Sequence, residues 1–271
     1  MADVPHFEPV FPAHAIEHCA IAVIFDQELP QKGFQNVLDR AAPAFRDAGY
    51  EQIAPTATIQ FDVATGRVGP MTGLPPTNYL SPDRSTNFLV APNSIYTQTG
   101  RYVRWQPFIG QVEDLVIPLI VEYNKLVSIT GIQLQYLDRF YWTGSWDTFK
   151  WQNLVQEKSG LVVPVAGEFV REWHCHSGWF ELPPANPLRR LVNVNIDVVE
   201  AIRPGDEAGP RPSVGILTLM RDHIVPAVGP PKIGMEPDII LPTLEKLHRD
   251  LKNMLSRVIS IEMAERIGLQ S

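Results

Sequence analysis

The spacing of apolar residues predicts several strands along the chain. Residues 16–26 are apolar at nearly every position, which is typical of a central strand with both faces covered. Residues 190–200 alternate clearly, so Val192, Val194, Ile196 and Val198 should face the core. Similar patterns predict strands at 52–62, 86–91, 94–103, 127–140 and 214–222, and either a strand pair or one long bent strand at 161–182. Because Pro92-Asn93 favours a tight turn, the runs on either side of it should pair as a hairpin.

Apolar residues at helical spacing predict three longer helices. They cover residues 30–48, the stretch from Pro107 to about Tyr123, and a wide apolar stripe from Leu244 to Val258. Pro43 is expected to kink or end the first helix, and Pro118 to kink the second. Residues 64–85, rich in Gly, Pro, Thr and Ser, predict a long loop, and residues 225–237 a shorter one.

The order of these elements predicts the fold class. It runs β-α-β-β-α-β, continues with further strands and closes with an amphipathic C-terminal helix, which favours an α+β fold with helices packed on a largely antiparallel sheet. The first six elements match a ferredoxin-like half. No internal repeat is visible, so residues 1–271 are predicted to form a single domain, with 145–160 as the candidate place for a subdivision.

Composition and charge narrow the class of protein. The chain is 45% hydrophobic and 20% charged, which is ordinary for a globular protein. A net charge of −7 argues against nucleic acid as a partner, since binding its backbone needs a cationic surface. No apolar run approaches the roughly 18 residues of a membrane span, and the first residues lack a signal-peptide core. With Cys19 and Cys175 far apart as expected free thiols, a cytoplasmic location is predicted.

Common catalytic and cofactor signatures are missing from the sequence. There is no G-x-G-x-x-G or P-loop glycine pattern, no G-x-S-x-G, no H-E-x-x-H and no C-x-x-C. This absence favours a binding protein over an enzyme. It does not decide between them, because a site assembled from distant segments leaves no local motif.

One histidine pair has the spacing of metal ligands. On a strand, His174 and His176 project from the same face, and Glu172 would lie beside them, so the three side chains could hold a divalent metal. The alternative is a polar, solvent-facing side of a strand whose Trp173 and Cys175 are packed in the core.

A second E-x-x-H pair lies on the final helix. Glu245 and His248 are three residues apart, but carboxylate-bridged metal bundles need two such pairs. These two residues are therefore assigned to a solvated helix face.

Two predicted strands carry amide and carboxylate side chains that could line a common surface. If the strands are neighbours, these groups could bind a polar ligand or a partner through directional hydrogen bonds. The alternative is an ordinary solvated face. The candidate ligand- or partner-binding residues are Gln133, Gln135 and Asp138 on one strand and Asn193, Asn195 and Asp197 on the other.

Aromatic residues cluster in the middle of the chain, with arginines scattered among them. From this cluster, Trp105 and Trp142 are predicted to bind a partner, because Trp, Tyr and Arg are enriched at protein interfaces. Core packing is the alternative explanation.

Three segments together resemble a sporadically distributed prokaryotic family of similar chain length that has no established activity. They are AIEHCAIAVIFDQELP, the run NFLVAPNSIYTQTGRYVRWQPFIGQVEDLV followed by ITGIQLQYLDRFYW, and LEKLHRDLKNMLSRVIS. In that family the central strand usually carries a basic residue and an asparagine, where this chain has Gln135 and Asp138. The resemblance implies a shared architecture, and the sporadic distribution implies an accessory gene, such as a defence or mobile-element component.

These observations lead to three hypotheses about function. The leading one is a non-enzymatic binding protein that acts on a protein partner or on itself through its polar sheet face and aromatic surface. The second is a metal-dependent enzyme with Glu172, His174 and His176 near the metal. The third is a small-molecule sensor with a cavity between the sheet and the helices.

Overall fold

The computed structural model describes residues 4–53, 59–62, 67–70, 74–162, 171–182, 188–207, 209–224 and 235–269. These residues form a ten-stranded antiparallel sheet, a separate two-stranded hairpin and five α-helices. The predicted α+β class, with helices on an antiparallel sheet, is confirmed. No helix in the described ranges has the length and apolar character needed to cross a membrane.

The elements are numbered in chain order. The strands are β1 (Phe7–Pro9), β2 (Ile16–Phe25), β3 (Glu51–Ile53), β4 (Ile59–Asp62), β5 (Arg67–Pro70), β6 (Thr77–Leu80), β7 (Thr86–Ala91), β8 (Ser94–Thr99), β9 (Ile129–Trp142), β10 (Trp173–Glu181), β11 (Leu188–Ala201) and β12 (Arg211–Ile224). The helices are α1 (Gln31–Asp47), α2 (Trp105–Leu115), α3 (Ile117–Asn124), α4 (Ile240–Val258) and α5 (Ile261–Arg266).

The order of the strands in the large sheet comes from the structure alone. The large sheet runs β10-β11-β12-β9-β2-β8-β7-β6-β3, and β1 pairs with β9. Apart from β3 to β6, which lie between α1 and β7 in the chain, the elements β2, α1, β7, β8, the α2–α3 pair and β9 are consecutive, and their strands lie in the order β9-β2-β8-β7. This interleaving is that of a ferredoxin-like β-α-β-β-α-β unit. The hairpin predicted at Pro92-Asn93 is present as β7 and β8.

The segment predicted as a long loop, 64–85, contains two strands. Residues 67–70 form β5, which pairs with β4, and residues 77–80 form β6, which pairs with β7. Tyr79 on β6 is 1% exposed and stacks on Phe45 with ring centroids 4.2 Å apart. Burial of this ring offsets the low strand propensity of its neighbours. The strand predicted at 52–62 is present only as β3 and β4, since the residues between them lie outside the described ranges.

The two helix-breaking prolines act differently. Pro43 lies inside α1, which continues to Asp47, so of the two predicted effects, a kink or an end of the helix, it does not have the second. Phe45, two residues later in the same helix, is fully buried, and its packing stabilises the last turn of α1. Pro118, by contrast, stands at the first turn of α3, after α2 has ended at Leu115. A proline is tolerated there because the first turn of a helix needs no intrahelical N–H donor.

The chain divides into two compact units that each draw on distant segments. Unit 1 comprises Met1–Cys19, Gln133–His223 and Leu244–Ser271, and unit 2 comprises Ala20–Ile132 and Ile224–Thr243. The 145–160 segment, predicted as the place of a subdivision, lies within unit 1.

Each unit has its own apolar core. In unit 1, Val192, Val194, Ile196 and Val198 are at most 1% exposed, as their alternation predicts. The apolar stripe of the amphipathic helix α4 is also buried at Leu244, Leu247, Leu251 and Val258. In unit 2, aromatic rings dominate, with Phe25 stacked on Tyr123 at 4.3 Å between centroids.

Candidate functional site

Strand β10, which carries His174 and His176, lies at the edge of the sheet beside β11. In the antiparallel register of β10 and β11, His174 lies opposite Asp197 and His176 opposite Asn195. Residues directly opposite each other project from the same face, which is called the outer face below. The His176 ring bonds to the Asn195 side chain. Trp173 and Cys175 are buried, so the predicted alternation of polar and core positions is confirmed.

A nearly buried arginine joins four strands on the outer face. Arg139 on β9 bonds to Glu17 at 2.7 Å, to Ser213 at 3.2 Å and to Asp197 at 3.4 Å. Its side chain is only 11% exposed. Burial alone would lower the pKa of Arg139, but the bond to Glu17 and the nearby carboxylates raise it, so the guanidinium stays charged. Asp197, predicted as a ligand residue, therefore already has an ionic partner inside the protein.

The ion pair between Arg139 and Asp197 depends on a glycine. Strand β12 lies between the strands that carry these two residues. A Cβ atom at Gly215 on β12 would be 2.4 Å from Asp197 Oδ1, closer than any real contact allows. The absence of a side chain at this position gives the carboxylate its space.

Replacing this glycine is expected to destabilise the protein. In Gly215→Ala the new methyl group should displace the Asp197 carboxylate from Arg139, at a cost of roughly 1–3 kcal/mol in the free energy of unfolding. Urea unfolding followed by circular dichroism measures this loss. The control is Gly110→Ala in α2, where the added methyl meets nothing within 4 Å and should stabilise the helix by up to ~1 kcal/mol. Equal stability of Gly215→Ala and the wild type would show that the carboxylate has other room.

The two predicted glutamines lie on the outer face but make internal contacts. Gln133 accepts two hydrogen bonds from Arg221, at 2.9 and 2.6 Å, and donates one to Gln135 at 3.3 Å. Gln133 is only 6% exposed. Its strand and the strand of Asn193 and Asn195 are separated by β12 and are therefore not neighbours. The polar groups share a face of the sheet, but the side chains of β12 lie between them.

Asp138 lies on the opposite, inner face of β9. It follows Ile132, Leu134 and Tyr136 at every second position, and all four are buried. This position separates it from Gln133 and Gln135, with which the sequence grouped it. Asp138 is 2% exposed and accepts no hydrogen bond from the residues that the structure describes. Burial raises its pKa to about 8, so the carboxyl is protonated at neutral pH.

Three further polar groups, Tyr136, His248 and Cys19, are linked to one another or to Asp138. The Tyr136 hydroxyl is 2.8 Å from His248 Nδ1 on α4, so His248 contacts the sheet and is not on a solvated helix face as predicted. Burial lowers the pKa of His248 to about 4, and nearby Lys252 adds to the effect, so the ring is neutral at pH 7. Cys19 is fully buried, and this burial raises the pKa of its thiol well above the ordinary value, against a hydrogen bond from Tyr136.

A small cavity, called the inner cavity below, opens next to Asp138. Its volume is about 40 Å³. Most of its wall is apolar, and its polar groups come from β9, from α4 and from the residues before β2. The lining residues are His14, Ala15, Ile16, Tyr136, Asp138, Leu251, Lys252, Leu255, Ile267 and Leu269.

A larger cavity in unit 1, called the open cavity, is bounded by β10, by the 156–161 segment and by α4 and α5. Its volume is about 480 Å³, within the range of small-molecule sites. Its lining includes apolar, hydroxyl and cationic side chains and no described acidic one. The lining residues are Gln156, Lys158, Ser159, Leu161, Trp179, Met254, Ser256, Arg257 and Ile261. None of these was singled out from the sequence, because the segments are about 100 positions apart and carry no shared motif.

The predicted metal ligands are only partly brought together. Glu172 lies just before β10 with φ of 37°, a left-handed backbone conformation, so strand alternation does not place it beside His174. Within the described ranges, no three His, Cys, Asp or Glu side chains are grouped so that they could hold a metal ion. The metal hypothesis stays a prediction.

The two tryptophans chosen from the aromatic cluster are buried. Trp105 is 7% exposed and Trp142 is 2% exposed, and Trp142 packs against Phe7 with ring centroids 4.9 Å apart. Neither ring presents the surface that partner binding would need, and the alternative explanation, core packing, accounts for both. Trp and Tyr bury large areas both in protein cores and at interfaces, so their presence in the sequence does not distinguish the two.

Searches of protein-family models and of curated proteins find no match to this sequence.

Proposed function

We propose that this protein is a non-enzymatic binding protein whose open cavity takes a small organic anion. The observation that supports it is the combination of two cations, Lys158 and Arg257, with an apolar wall that includes Trp179. This is the small-molecule hypothesis in a more specific form, and it needs no catalytic motif.

The charge of the cavity favours an anionic ligand. Neither Lys158 nor Arg257 forms an ion pair with a residue that the structure describes, although the chain carries a net charge of −7. Two cations without an ion pair to a described residue raise the local potential at the cavity against that background and attract an anion. A carboxylate is a suitable partner, since an arginine can bind it with two parallel hydrogen bonds.

The wall of the cavity favours a ligand with a flat apolar body. Trp179 donates a hydrogen bond from its indole nitrogen to Glu181 at 3.1 Å, which helps to orient the ring. Leu161, Met254 and Ile261 supply the other apolar surface. An aromatic carboxylate would bury its ring against these side chains and place its charge at the cations.

The partner-binding hypothesis loses its aromatic surface, because Trp105 and Trp142 are buried. On the outer face, His174 and His176 remain exposed, and Phe180 is 50% exposed. A protein partner for this face, and an accessory role for the gene, stay predictions.

Binding of phenylacetate, measured by isothermal titration calorimetry, tests the proposal. We expect millimolar or tighter binding of this aromatic carboxylate, and much weaker binding of phenethylamine, which has a similar body and the opposite charge. The double variant Lys158→Ala/Arg257→Ala should lose at least tenfold in affinity, which corresponds to about 1.4 kcal/mol.

The matched control is Arg249→Ala, which removes an exposed cation from α4 outside the cavity lining and should leave the affinity unchanged. Binding of both ligands with equal affinity, or an undiminished affinity in the double variant, would overturn the proposal. So would no detectable binding of phenylacetate.

A further inference from the structure

The inner cavity contains an unusual polar group for its surroundings. Asp138 is 2% exposed, has no hydrogen-bond partner among the described residues and lines the cavity. A buried carboxyl that bonds to nothing loses its hydration without compensation, which costs several kcal/mol for the ionised form. A buried polar group without a hydrogen-bond partner needs an explanation, and one explanation is a ligand that supplies the missing partner.

The groups that face Asp138 leave its charge unbalanced. The Cys19 thiol is uncharged, because burial raises its pKa well above the ordinary value, and Tyr136 carries no formal charge as a phenol. His248 on α4 is neutral as well, because burial lowers its pKa to about 4. His14, before β2, and Lys252, on α4, line the same cavity, and no salt bridge joins either of them to Asp138.

We propose that the inner cavity binds the ammonium group of a small primary amine, with Asp138 as its counter-ion. The ammonium group offers N–H donors, which the two carboxylate oxygens of Asp138 can accept. The site is separate from the open cavity and does not depend on the anion proposed there.

The shape of the cavity limits the size of the amine. Ile16, Leu251 and Leu255 form apolar walls that suit methylene groups. A volume of about 40 Å³ has room for an ammonium group and little more, so the chain of the amine would extend towards the mouth. A quaternary ammonium ion is too large and has no N–H donor.

Binding of the amine should release the proton of Asp138. The protonated carboxyl becomes a carboxylate paired with the ammonium ion, and one proton leaves to the solvent. Below a pH of about 8, the affinity should therefore rise about tenfold for each pH unit, while the amine itself stays charged up to about pH 10. Lys252, which also lines the cavity, opposes a cation, so its removal should strengthen binding.

Calorimetric titration with n-propylamine tests the inference. We expect about tenfold or greater tightening between pH 6.5 and pH 8, and release of close to one proton at pH 6.5, seen as a dependence of the heat on the ionisation enthalpy of the buffer. Asp138→Asn should abolish both effects, and Lys252→Ala should raise the affinity severalfold. Phenylacetate binding should be the same in Asp138→Asn as in the wild type, which separates this site from the open cavity.

Tetramethylammonium, propan-1-ol and propionate are the matched ligands, and none should bind at the inner cavity. The inference is overturned if the wild type does not bind propylamine at either pH, or if Asp138→Asn binds it equally well. Binding of propionate that Lys252→Ala weakens would also overturn it, because the cavity would then be an anion site. Circular dichroism of both variants checks folding, and the proton release of the wild type needs no variant.

Discussion

The free energy of unfolding of this protein is expected to fall by roughly 1.4 kcal/mol for each pH unit between about pH 6.5 and pH 8, because of Asp138. Burial raises the pKa of this carboxyl to about 8 in the folded protein, from an ordinary value of 3.8. Between these pH values the folded state holds one more proton than the unfolded state. The contribution of Asp138 to the free energy of unfolding is therefore fully present below the unfolded-state pKa and is lost as the pH rises towards 8.

His248 acts in the opposite direction at lower pH. Its pKa is lowered to about 4 in the folded state from 6.5, so the unfolded state holds more protons between these values. Its contribution to stability is present above the unfolded pKa and is lost as the pH falls towards 4. Between about pH 4 and pH 6.5 the effects of Asp138 and His248 on the free energy of unfolding have opposite signs and partly cancel. Above pH 6.5 only the effect of Asp138 remains.

Urea unfolding at intervals from pH 5 to pH 9 measures these slopes. Asp138→Asn should remove the decline above pH 6.5 and should be more stable than the wild type at pH 8, because the amide has no charge to bury. The control is Asp114→Asn on α2, an exposed carboxyl whose loss should leave the pH dependence parallel to that of the wild type. Parallel curves for Asp138→Asn and the wild type would refute the assignment.

The second large effect is expected at Arg190, which joins β11, β12 and α4. Its guanidinium donates two hydrogen bonds to Asp222, at 2.6 and 2.7 Å, and a third to Asp250. Arg190 and Asp222 are 8% and 6% exposed. Arg190→Ala would leave the Asp222 charge buried without its partner, so we expect a loss of about 3–5 kcal/mol in the free energy of unfolding.

A double variant separates the missing partner from the missing side chain. Arg190→Met/Asp222→Leu removes both charges and should recover most of the loss, because well-packed apolar residues can replace a buried ion pair. The control is Arg40→Ala, since Arg40 is largely exposed and its pair with Glu122 should contribute at most ~1 kcal/mol. If the two arginine variants lose equal stability, as measured by urea unfolding, the buried pair has no special role.

The fold could be predicted where local pattern and burial coincide. The alternation of Val192, Val194, Ile196 and Val198 fixes which face of β11 is buried, since neighbouring side chains on a strand point to opposite faces. The stripe of leucines on α4 does the same for that helix. The pattern failed at β6, because Tyr79 is buried by Phe45, a residue far away in the sequence.

The candidate sites could be predicted from the sequence less well than the fold. The strand pattern that placed Ile132, Leu134 and Tyr136 on the core face also applies to Asp138, so the burial of this carboxyl could have been predicted from period two alone. Its charge made solvent exposure the default expectation. Strand alternation does not place Glu172, because β10 begins one residue later and alternation does not extend beyond its end.

The sequence by itself therefore determined the α+β class, the order of the main elements and the buried faces of β11 and α4, because these depend on periodicity within single segments. Only the tertiary structure decided which segments meet. Strand order placed β12 between the two polar strands, and the docking of α4 brought His248 to Tyr136. The open cavity likewise combines Lys158, Trp179 and Arg257. Such meetings arise from packing between distant parts of the chain, and no local spacing records them.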